Sequence, residues 1–169
     1  MASGDTLAIF VAQHAELPSA SYATLDTHAG ASNDLISVLD YDAAADESAV
    51  FPGFMPGHYG AGGITVTLGW MSAAATSGVC VWNVGFKSVT DDADDLDTKA
   101  FAAVNPGSAT TASAAGEVDY FDITFTDGAD MDSVAAGEYF RMIVTRDADS
   151  SSDTLVGDAE LVFVHIKET

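Results

Sequence analysis

Positive charge is scarce in this 169-residue chain: Lys and Arg number 5 against 26 Asp and Glu, for a formal charge of -21. So acidic a surface repels phosphate backbones and anionic lipid headgroups, which excludes nucleic acid and membrane surfaces as expected partners. Cysteine is almost absent. Cys80 stands alone, so an internal disulfide framework is ruled out. Long apolar runs are missing as well. The stretch TLAIFVA near the start is too short for a signal-peptide core or a bilayer span, and a leaderless, soluble protein is the expectation. No window sustains a 3.6-residue period beyond a turn or two, which argues against long helices. His14, His28, His58 and His165 fall in no zinc or triad spacing, and no G-x-S-x-G elbow occurs. Neither an enzyme nor a cofactor is therefore expected.

What is present is enough to fold. Hydrophobic residues make up 48% of the chain, so the acidity sits on a globular body rather than a disordered one. The length suits one domain. Asp outnumbers Glu 20 to 6. A dense carboxylate surface that holds water and cations suits a halophilic or marine setting; the plainer reading is an acidic protein kept soluble by its charge.

Strand signals follow one another. GITVTLGW sets Ile64, Val66, Leu68 and Trp70 on one face, and VCVWNVGFKSV does the same with Cys80, Trp82, Val84 and Phe86. EVDYFDITFT begins with Val118 and Tyr120 in phase and then shifts to Phe121, Ile123 and Phe125, which predicts a bulge. EYFRMIVTR alternates, and AELVFVHIKET is apolar on both faces, as a central strand would be. Shorter strands are expected at 7–12, 36–41 and 49–55. The connections carry Gly, Pro, Asp and Ser. Eight or so short strands predict an all-β fold: an antiparallel two-sheet β-sandwich, a jelly roll.

Each candidate site has a plainer alternative. LDYDAAADESAVF, residues 39–51, packs four acids into a short stretch that also reads as a joint between two strands. DADSSSD offers Asp147, Asp149 and Asp153 as ligands for a structural Ca²⁺ or Mg²⁺, with Asp158 within reach in sequence, and Asp91 to Asp97 form a similar run. Neither loop has EF-hand spacing, and both read equally as solvated acidic turns. Phe54, Met55 and Tyr59 are candidates for an exposed subunit interface, where aromatic and Met side chains are enriched; the alternative is turn geometry around Pro and Gly. Arg141 and Arg146 share one strand and are expected to neutralise nearby carboxylates.

Several strings in order, among them YATLDTHAG, LDYDAAADESAVF, YGAGGITVTLGW, ITFTDGADMDSVAAGEYFRMIVTRDAD and DTLVGDAELVFVHIKET, give the chain a family look from about Tyr22 to Thr169. It resembles small jelly-roll proteins encoded among the structural genes of tailed viruses and prophages. The resemblance implies a jelly-roll domain at 22–169; residues 1–21, longer and more apolar than the family's usual start, depart from it and are expected to form an N-terminal strand or arm. It also implies a non-enzymatic virion protein on the particle surface, a capsid decoration, cement, turret or spike. Such a protein acts as a homotrimer in contact with other virion proteins such as the major capsid protein. The alternative function is a glycan- or receptor-binding module of a fibre or spike, with Trp70, Trp82, Tyr59 and Tyr120 as candidate sugar-stacking rings. The alternating pattern places both tryptophans on the apolar face and favours a core role for them.

Overall fold

The computed structural model describes residues 4–169. It contains ten strands: β1 (Thr6–Val11), β2 (Thr24–Ala29), β3 (Leu35–Tyr41), β4 (Glu47–Phe54), β5 (Ile64–Ser72), β6 (Val79–Val89), β7 (Asn105–Thr110), β8 (Asp119–Phe125), β9 (Tyr139–Arg146) and β10 (Ala159–Glu168). Every pairing between them is antiparallel. One sheet runs β2-β3-β10-β5-β8, with β1 also pairing β10; the other runs β4-β9-β6-β7. The expected all-β sandwich is what forms, with two strands more than the approximate eight. Among the described residues helix is confined to three short 3₁₀ turns, and none is long and apolar enough to cross a membrane.

The core is the sum of the inward faces. Ile64, Val66, Leu68 and Trp70 of β5 meet Cys80, Trp82, Val84 and Phe86 of β6, all without solvent exposure. Trp70 and Trp82 stand edge to face at 5.9 Å between ring centroids, and Tyr41 packs on Trp82 at 5.1 Å. Aromatic pairs in this geometry add to the area they bury.

β2 and β7 are edge strands, and neither shows alternating hydrophobicity. β2 is exposed at nearly every position. β7, NPGSAT, resembles a turn, but a strand edge tolerates Pro106. Gly107 is needed because a Cβ there would come within 2.5 Å of the Phe121 ring where the two sheets close on each other.

The bulge expected in β8 is absent, since its register with β5 runs unbroken from Asp119 to Phe125. Val118 and Tyr120 instead face outward. The shift occurs in β10, between Leu161 and Phe163. The extra residue there lets Ala159 and Leu161 point inward, then Val164 and Ile166, while Phe163 is turned out. This is why β10 looked apolar on both faces.

LDYDAAADESAVF is indeed a joint: β3 ends at Tyr41, five residues turn, and β4 begins at Glu47. The N-terminal segment contributes β1 to the sheet beside β10. Residues 16–22 then run along the edge of β4, through bridges Glu16–Val50 and Tyr22–Ser48.

Candidate functional site

The outer face of the six-stranded sheet carries an ordered array around β5. Three consecutive rows cross it: Phe163–Gly69–Tyr120, His165–Thr67–Asp122 and Lys167–Thr65–Thr124. The small outward residues of β5, Thr65, Thr67 and Gly69, form the base of these rows, with Thr67 and Gly69 buried beneath the flanking side chains. Phe163, His165 and Lys167 form one wall, and Tyr120, Asp122 and Thr124 the other. At one end Tyr120, 73% exposed, meets Phe163 edge to face at 5.1 Å. Gly69 makes this possible, because the Phe163 ring lies over it and a Cβ would meet that ring at 2.1 Å. Ile9 and Val11 of β1 extend the apolar end beside His165 and Phe163, and both are exposed.

The middle of the trough is polar and ordered. Thr67 donates to Asp122, Thr6 Oγ1 lies 2.8 Å from His165 Nε2, and Lys167 Nζ stands 3.9 Å from Asp122. Partial burial and Lys167 hold the His165 imidazole below its ordinary value, against the pull of Asp122. A neutral ring has one donor and one acceptor nitrogen.

Toward β3 the same face carries acids. His28 Nδ1 lies 2.9 Å from Glu160, and burial raises the Glu160 carboxyl against that imidazole. Asp40 is pushed up to about 6 by burial and then by Asp158, Glu160, Asp26 and Glu47.

The remaining sequence candidates fall in different places. Asp147 and Asp149 come together with Asp46, their ligand atoms lying within 4.8 Å of one another. The Asp149 amide donates to Asp46, Asn83 donates to Asp147, and Asp46 raises the Asp149 carboxyl. These are the residues that could hold a hard cation. Asp153 does not belong with them. Its side chain, 2% exposed, is turned inward to pair with the fully buried Arg146 at 3.0 Å. Asp158 accepts from the Ala43 amide. The Asp91 to Asp97 run is a turn in which Asp94 pairs with Lys99.

The interface expectation needs correcting. Phe54 is exposed, but Met55 and Tyr59 are buried, because the Tyr59 hydroxyl donates to Asp127 and accepts from the Gly63 amide inside the β4–β5 loop. Trp70 and Trp82 are fully buried and, with Tyr59, offer no stacking surface; Tyr120 does. Sequence reasoning named Tyr120 but missed Phe163, His165 and Asp122, since the cross-strand register that aligns them is not written in any local pattern. Burial pushes the Cys80 thiol far up, which leaves it unsuited to nucleophilic chemistry.

No protein-family model matches the chain, and neither does any curated protein sequence. Solved structures do. A family 11 carbohydrate-binding module from Clostridium thermocellum, in complex with a β-1,3-1,4-mixed-linked tetrasaccharide, is similar with a TM-score of 0.51 at 9% identity, over 98% of this chain and 96% of that one. The CBM22-2 xylan-binding domain of Paenibacillus barcinonensis Xyn10C gives 0.53 at 10% identity, over 92% of each chain. The xylan-binding module CBM15 gives 0.50 at 10% identity, over 96% and 97%. What the chain shares with these structures is the fold, a two-sheet antiparallel jelly-roll β-sandwich. In a longer structure, the CBM22-1–GH10 modules of C. thermocellum xylanase 10B, the match takes in 98% of this chain but only 28% of that one.

Proposed function

We propose that this protein is a non-catalytic glycan-binding domain whose ligand lies in the trough over β5. The observation that carries the reading is Tyr120, exposed and braced edge to face by Phe163 at the head of a row of hydrogen-bonding groups. Sugars present apolar C–H faces and a rim of hydroxyls. A ring such as Tyr120 covers the first, and His165 and Asp122 meet the second, with Asp122 held in place by the buried Thr67. Similar folds that bind a mixed-linked tetrasaccharide or xylan support the same assignment. The charge of -21 favours neutral glycans over sulfated or uronic ones.

The test is affinity electrophoresis through gels containing neutral polysaccharides, with xylan and mixed-linked β-glucan first. Retardation of the wild type is expected. Tyr120→Ala is expected to weaken it by about tenfold or more and to leave stability within about 0.5 kcal/mol, as suits an exposed side chain. Binding that survives this substitution, or no retardation in any neutral polymer, removes the trough from consideration.

The particle-surface setting implied by the sequence resemblance stands beside this as a separate proposal: a homotrimer seated on other virion proteins, with the trough facing outward. Sedimentation as a monomer, with no association with capsid protein, ends it.

A further inference from the structure

Away from the trough, at the loop end of the four-stranded sheet, lies a pair of adjoining hollows. Phe54 of β4 is 68% exposed and meets Tyr139 of β9 at 5.3 Å between ring centroids, the planes tilted by 57°. The two rings line a hollow of about 530 Å³ together with Val89, Asp91, Glu138 and residues 135–137. It shares residues 135–136 with a second hollow of about 380 Å³ that carries Asp127. Among the described residues, no Lys, Arg or His lines either hollow.

Two aromatic faces beside the Asp91 carboxylate favour a cationic group, because ring quadrupoles attract it and the acid complements its charge; Arg141 reaches only the Tyr139 hydroxyl, at 3.4 Å, and Glu138 is held by Thr90 and the Ala135 amide. A second copy of this chain is a poor donor, because all five of its Lys and Arg are engaged. Lys87 faces the carbonyls of Leu96 and Lys99, and Lys99 pairs with Asp94 and Asp132. Arg141 pairs with Glu16, Arg146 with Asp153, and Lys167 lies beside Asp122. We infer that the Phe54–Tyr139 hollow receives a Lys or Arg side chain from a basic segment of a different protein. This inference does not depend on the glycan reading.

The test titrates pentalysine into the protein while following the aromatic ring resonances of Phe54 and Tyr139 by NMR. Saturable shifts at both rings are expected. Affinity is expected to fall about tenfold in Phe54→Ala and several-fold in Asp91→Asn. Asp97→Asn, which removes the same charge from the same loop away from the hollow, is expected to change it less than about twofold. Equal losses in Asp91→Asn and Asp97→Asn, or indifference to Phe54→Ala, mean diffuse attraction to an acidic surface and overturn the inference. So does tetramethylammonium binding as tightly as pentalysine with the same dependence on Phe54, since the hollow would then be a site for small cations rather than for a polypeptide. The trough variant Tyr120→Ala is expected to bind pentalysine like the wild type; a parallel loss would merge the two sites and overturn their separation.

Discussion

The two sheets are built from similar alternating strands, yet their outer faces differ. On the six-stranded sheet the residues flanking β5, Tyr120 and Ile9 among them, are open to solvent, above the buried Thr67 and Gly69. On the four-stranded sheet the corresponding surface is largely sealed. Lys87 is only 8% exposed, its ammonium held by the Lys99 carbonyl at 3.1 Å and lying 5.1 Å above the Phe101 ring. Val104 covers Gly85. At the β4 edge, Glu16 anchors Arg141 at 2.6 Å, and its backbone bonds to Val50 in both directions. The contrast teaches that the loops, rather than the strands, decide which face is available for recognition. The 90–104 connection folds back over its own sheet, and residues 16–22 protect the exposed edge of β4 against further pairing.

The substitution with the largest expected effect breaks both faces together. Arg146 is fully buried and donates to Asp153 and to the carbonyls of Tyr41, Leu155 and Gly157. Arg146→Ala leaves the Asp153 carboxylate buried without its cation and is expected to cost about 3–5 kcal/mol, read by urea denaturation. A loss below about 1 kcal/mol would mean that water reaches Asp153 readily and that the pair contributes little.

A smaller effect is expected from unsealing the covered face. At Gly85 a Cβ would stand 3.0 Å from Val104, with Ile143 at 3.5 Å. Gly85→Val is therefore expected to lift the 90–104 connection at about 1–3 kcal/mol and to speed proteolytic cleavage within it. Glycan retention by the trough should remain unchanged. Loss of retention would show that the two faces are coupled through the core.

The smallest effect concerns the acids of the open face. Asp40 is raised from its ordinary 3.8 to about 6, so the folded state holds this proton more tightly than the unfolded chain does. Its contribution to stability is complete below 3.8 and is lost as the pH rises through about 6. Asp40→Asn stays uncharged throughout. The stability of this variant relative to the wild type is expected to increase between about pH 4 and about pH 7.5. A difference that stays constant over that range contradicts the assignment.

The alternation of β5, β6 and β9 was legible because a period of two states which side chains are buried without reference to any partner. β7 was not, since its Pro106 and Gly107 make sense only at an edge and beneath Phe121. The metal candidates divided for a similar reason. Asp147, Asp149 and Asp153 look equivalent in sequence, but only Asp153 has an arginine beneath it, and a buried charge must be paired.

By itself the sequence determined an all-β sandwich with a tryptophan-centred core and a strongly acidic surface, because hydrophobic period and net charge are local or additive properties. Tertiary structure alone decided that Tyr120 faces solvent beside Phe163, that Met55 and Tyr59 are buried, and that one sheet face is open while the other is covered. Those outcomes depend on register, on one bulge in β10 and on where loops return, and each is fixed by contacts between residues far apart in the chain.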